Sequence, residues 1–107
     1  MILALLAALV AAGAQARPAA GPSLELTKTR PLEVHGYRFK ARELVKLRLS
    51  GAATGSHTVR TSSSGAFAAT FSDVSLSRCD SAMVSAIGSR GDRAEVHYVP
   101  VTACSTG

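Results

Sequence analysis

The sequence predicts an all-β protein, an antiparallel sandwich of about seven short strands, and three observations carry that expectation. Apolar and polar residues alternate over short runs, clusters rich in Gly and Ser separate the runs, and no stretch beyond the N-terminus sustains a capped helical period. The segment KARELVKL has room for two helical turns, but its Val45, Leu47 and Leu49 recur every second residue, which favours a strand.

The chain opens with MILALLAALVAAGA, uncharged and largely apolar, followed by Ala14-Gln15-Ala16 before Arg17. This is the pattern of a secretory signal peptide over residues 1–16. Crossing a bilayer takes about 20 apolar residues, and Gln15, Arg17 and Pro18 interrupt the run too early. No Cys lies near the cleavage pattern to receive a lipid. Residues 17–23, RPAAGPS, suit a flexible leader, and residues 24–107 are expected to form a single domain.

Within that domain the period is two. Leu24 to Thr27, Leu32 to His35, Val45 to Leu49, Thr58 to Arg60, Phe67 to Phe71, Val84 to Ala86 and Ala94 to Tyr98 each alternate, which makes seven strands. Turns are expected at Gly51 to Ser56, Ser62 to Gly65 and Ser89 to Asp92, where Gly allows positive φ and Ser or Asp bonds back to the backbone. In the first long loop Gly36 allows a bend, Phe39 plugs the core and KARE turns the chain. Phe39, Phe67 and Phe71 are expected to form the aromatic core.

A domain of this size has a marginal core, so a cross-link helps it. The sequence holds two cysteines, Cys79 and Cys104, an even pair in a chain expected to be exported, and an oxidising compartment favours joining them.

From residue 34 onward the order of signals resembles small immunoglobulin-like modules of secreted and wall-associated bacterial proteins. Val34, Gly36, Phe39, Glu43, Val45 and Leu47 match the first part of the pattern, Ser64, Gly65, Phe67 and Phe71 the second, and Val84, Ala86, Gly88, Gly91 and Ala94 the third. Arg38 stands where that pattern has a second Gly, Ala41-Arg42 replaces Pro-Gly, and Ala82 replaces a tyrosine. The resemblance implies an immunoglobulin-like β-sandwich and a non-catalytic module, usually a spacer or adhesive unit. The Cys79–Cys104 pair differs from the inter-sheet bridge of antibody domains and is expected to tie the connection before residues 83–88 to the tail.

The net charge of +5 favours polyanions without choosing among them. Histidines 35, 57 and 97 share no close spacing, so no metal site or other cofactor is expected. Ser62-Ser63-Ser64-Gly65 is turn material, lacking the G-x-S-x-G elbow of a nucleophile, and no enzyme activity is expected. Arg90-Gly91-Asp92 spells RGD at a hairpin, where Gly serves the turn. The feature above background is the basic stretch Arg38, Lys40, Arg42, Lys46 and Arg48. Nucleic acid would call for interleaved exposed aromatics, and only Tyr37 is a candidate.

The expected function is therefore a secreted non-catalytic structural or interaction module of the bacterial cell envelope or exterior, extracellular or cell-wall associated. The alternative is a binding module for anionic envelope polymers through residues 38–48. The expected partner is an anionic cell-wall polymer or another envelope protein, with no nucleic acid and no membrane once the signal segment is removed.

Overall fold

A computed structural model describes residues 21–100 and Cys104. The signal segment expected over 1–16, and the leader up to residue 20, lie outside the described residues. Among the described residues seven strands follow one another: β1 (Ser23–Thr29), β2 (Leu32–Tyr37), β3 (Leu44–Gly51), β4 (Gly55–Arg60), β5 (Phe67–Phe71), β6 (Ala82–Gly88) and β7 (Arg93–Tyr98). Each expected strand is present.

The strands form two antiparallel sheets, one in the order β1-β2-β5 and the other β4-β3-β6-β7. Alternation explains how they face each other. On β3, Val45, Leu47 and Leu49 are buried while Leu44, Lys46 and Arg48, which alternate with them, are exposed. The inner side of the second sheet adds Val84 and Ala86, and the first sheet supplies Leu32, Val34, Ala69 and Phe71. A shift of one residue in any of these strands would turn its apolar set outward, so the pattern itself fixes the register.

Three features differ from expectation. Phe39 and Phe71 are buried, but Phe67 is only partly buried and packs at the rim of the core. Its ring lies over Gly36, its partner across β2 and β5, and 5.4 Å from the ring of Phe39. Gly36 is therefore a strand residue that makes space for an aromatic ring: a methyl group there would run into Phe67. Third, the connection after β5 contributes buried Val74 and Leu76. Val74 O accepts from Leu32 N and Leu76 N donates to Thr29 O, both at 2.9 Å, which seats this segment under the β1–β2 turn.

Cys79, in the same connection, is joined to Cys104 beyond β7. In the chain-entropy view, a loop with a sequence separation of 25 is worth about 3.5 kcal/mol. Replacement by Cys104→Ser should lower stability by about 2–4 kcal/mol, read by denaturant titration. In the native protein purified without reductant, alkylation should label no thiol before reduction and two after it.

Two turn glycines separate backbone strain from steric conflict. Gly65 has φ +81° and Gly91 φ +99°, both in the left-handed region. A side chain at Gly65 would strike the carbonyl of Phe39, whereas one at Gly91 meets open space. Gly91→Ala should cost about 1–2 kcal/mol through φ alone. Gly65→Ala should cost about 3 kcal/mol or more, because backbone must also move. Thermal melts of the two variants provide the comparison.

Candidate functional site

The expected basic stretch leaves β2, turns through residues 38–43 and enters β3, so its conformation depends on how that loop is held. Glu43 holds it. Its side chain is completely buried, and its Oε2 accepts a hydrogen bond from Arg90 N at 2.7 Å while Oε1 accepts one from Lys40 N at 3.2 Å. A buried carboxylate needs such donors, since an unpaired one costs several kcal/mol. Gly88 makes the room, because a methyl group there would collide with Oε2 of Glu43.

Thr61 completes the arrangement. Its buried hydroxyl accepts from Glu43 N at 2.7 Å and donates to Lys40 O at 2.6 Å. Thr61 N donates to Glu43 O and Ser89 N to Leu44 O. The β2–β3 loop, the β4–β5 loop and the β6–β7 turn are thereby bound into one end of the sandwich. Sequence reading overlooked Thr61 and gave Glu43 no role beyond its match to the family pattern.

The five expected cations part company at this end. Arg38 reaches back to the start of β1 and the residues before it, donating from Nε to Gly21 O and from Nη2 to Ser23 Oγ, both at 3.0 Å. Lys40 pairs with Asp92 at 3.0 Å. Arg42 is exposed, with its carbonyl accepting from Arg60 Nη1 at 2.9 Å. Lys46 and Arg48 stand on the outer face of β3.

Sheet order adds cations that sequence reading did not connect with them. Lys46 faces Thr58 on β4 and Ile87 on β6, and Ile87 in turn faces Arg93 on β7. Arg48 lies in the next row with Ser56, Ser85 and Glu95, and Leu44 in the row before it with Arg60. The outer face of this sheet thus carries Lys46, Arg48, Arg60 and Arg93 against Glu95, which bonds His97 at 3.1 Å. A shallow hollow lies on this face between Ser85, Ile87, Arg93 and Glu95.

The outer face of the three-stranded sheet has another character. Thr27 Oγ1 donates to Glu33 Oε1 at 2.7 Å, and that bond comes first among the causes holding the Glu33 carboxyl below its ordinary range. Tyr37 OH lies 3.3 Å from Glu25 Oε1 and 3.4 Å from His35 Nδ1. Burial raises the Tyr37 phenol, and the nearby Glu25 charge adds to the rise. These groups mainly serve one another.

The histidines lie on β2, β4 and β7, and among the described residues no three His, Cys, Asp or Glu side chains gather as metal ligands would. In the RGD turn, Asp92 binds both Nζ and the backbone N of Lys40, each at 3.0 Å, so its carboxylate is engaged within the fold. The chain matches no known protein family, and no curated protein shows significant similarity to it.

The Asp92 carboxyl is held below its ordinary range, first by the hydrogen bond from the Lys40 side chain, with the Lys40 backbone N–H and charge adding to it, against the opposing effect of burial. A lowered folded-state value means that Asp92 contributes stability above about pH 3.9, its unfolded value, and loses it as pH falls through the folded one. Melting temperature should therefore fall below about pH 4. Asp92→Asn should flatten that part of the profile and cost no more than about 1 kcal/mol at neutral pH, because Lys40 is half exposed.

Proposed function

We propose that the protein is a secreted, non-catalytic, immunoglobulin-like interaction module of the bacterial cell exterior or envelope. The observation that carries the reading is an exposed, cation-bearing sheet face mounted on an end made rigid by Glu43 and Thr61. Binding surfaces are typically presented this way, on a scaffold whose own polar groups are satisfied.

The immunoglobulin-like part draws support from residue pairs. Gly36 with Phe67, Gly65 with Phe39, and Gly88 with Glu43 are each a glycine and the group that needs its missing side chain, and all six belong to the matched pattern. The two positions where Arg replaces the pattern's Gly, Arg38 and Arg42, have φ of 63° and 55°, the region glycine favours. The strand order departs from the antibody constant arrangement in pairing β4 with β3.

A second reading, binding of an anionic envelope polymer, is favoured by the adjacent, outward Lys46 and Arg48. Arg38 and Lys40 contribute less to it, being occupied within the fold.

Cell fractionation tests the first reading: the protein should be found outside the cytoplasm with its cysteines oxidised. Recovery from the cytoplasm with two free thiols would refute it. The polymer reading is checked by sedimentation with purified wall phosphodiester polymer. Lys46→Glu with Arg48→Glu should abolish binding, while Lys28→Glu with Arg78→Glu, equal in charge and away from this face, should leave most of it. Equal losses would assign the attraction to net charge alone.

A further inference from the structure

We infer that the corner of the sandwich where β3 begins and β6 ends docks onto an anionic lipid surface. In this arrangement Leu44 and Ile87 enter the interface, and Arg42, Lys46, Arg60, Arg90 and Arg93 meet the phosphates. The inference goes beyond the interaction-module reading, naming a partner that it leaves open, and it departs from the expectation from the sequence that no membrane is involved.

The first support is a pair of misplaced aliphatics. Leu44 is 42% exposed and Ile87 47%. Single exposed apolar residues are ordinary. These two are neighbours: Ile87 faces Lys46 across β3 and β6, and Leu44 is the preceding outward residue of β3. Side chains two apart on a strand lie about 7 Å from each other and adjacent strands about 4.8 Å, so the pair forms one small apolar ridge.

The second support is the charge around that ridge. Arg60 stands opposite Leu44 and Arg93 opposite Ile87, and Lys46 stands on the other side of Ile87 in the same row. Arg42 precedes the ridge in the loop, and Arg90 follows it in the turn, both exposed. The acids nearby are already committed. Glu43 is buried on backbone amides, Asp92 is bound to Lys40, and Glu95 lies one row further on beside His97.

A membrane interface uses both halves of this chemistry, taking aliphatic groups below the headgroups and cations at the phosphate level. A soluble polyanion uses only the cations. A protein partner would call for about 800 Å² of buried surface on each side with aromatic anchors. The outer face of this sheet carries no Phe, Tyr or Trp.

Vesicle sedimentation tests the inference. The protein should bind phosphatidylcholine vesicles containing phosphatidylglycerol and bind pure phosphatidylcholine weakly. Lys46→Gln with Arg93→Gln should weaken binding about 25-fold, roughly fivefold per cation, while Lys28→Gln with Arg78→Gln should change it little. Leu44→Ser with Ile87→Ser keeps net charge constant and should still weaken binding at least about tenfold. Binding that ignores this last pair, or that a soluble phosphodiester polymer matches, would overturn the lipid assignment and leave the polymer reading in place. The chain has no Trp, so Ile87→Trp supplies a reporter that does not depend on the double variants. Its emission should shift to the blue on anionic vesicles, and an unchanged spectrum would count against insertion.

Discussion

The buried carboxylate of Glu43 is the constraint on which the rest of the molecule's working end depends. Two β-sheets packed face to face share side-chain contacts but no ladder hydrogen bonds, so their loops need another means of holding position. Glu43 supplies it by accepting from the amides of Lys40 and Arg90, one in its own loop and one in a turn that follows it by 47 residues. Thr61 adds the third loop through Glu43 N and Lys40 O. Because a buried polar group without hydrogen-bond partners is costly, these loops are held together: opening one of them exposes or orphans the Glu43 side chain. Gly88 is part of the same device, since any side chain there would displace the oxygen that Arg90 uses.

This device also sorts the basic residues. The loop positions turn Arg38 toward Gly21 and Ser23 and Lys40 toward Asp92, so the two cations serve the fold. The strand positions do the reverse. With Val45, Leu47 and Leu49 committed to the core, the pleat sends Lys46 and Arg48 outward, where β4 and β7 place Arg60 and Arg93 on the same face. Charge that reads as one continuous run in the sequence becomes two populations, one structural and one exposed.

That division shows what a sequence can express. The seven strands were legible because each obeys a period of two, and the outward direction of Lys46 and Arg48 came with that period. Their company on the sheet was not, because cross-strand neighbours depend on strand order, and Arg60 and Arg93 are distant in the chain. Glu43 shows in the sequence only within the KARE turn and the matched pattern, since nothing local announces the amide of Arg90. Val74 and Leu76 did alternate with serines, yet they are buried by docking against the β1–β2 turn without joining a sheet. Phe67 and Phe71 share a strand face, but Phe67 is the first residue of β5 and is only partly buried at the rim of the core.

Backbone strain carries the argument one step further. Arg38 and Arg42 both hold left-handed conformations that cost a non-glycine residue about 1–2 kcal/mol each. Arg38 recovers that cost inside the molecule through two hydrogen bonds from its guanidinium. Among the described residues the Arg42 guanidinium has no such hydrogen bond or ion pair, and glycine would fit its backbone more comfortably. Strain kept without an internal return directs attention to what the side chain meets outside. Arg42 stands beside Leu44 and Arg60, so the reason for its presence is to be sought at the cationic corner, in whatever surface that corner touches.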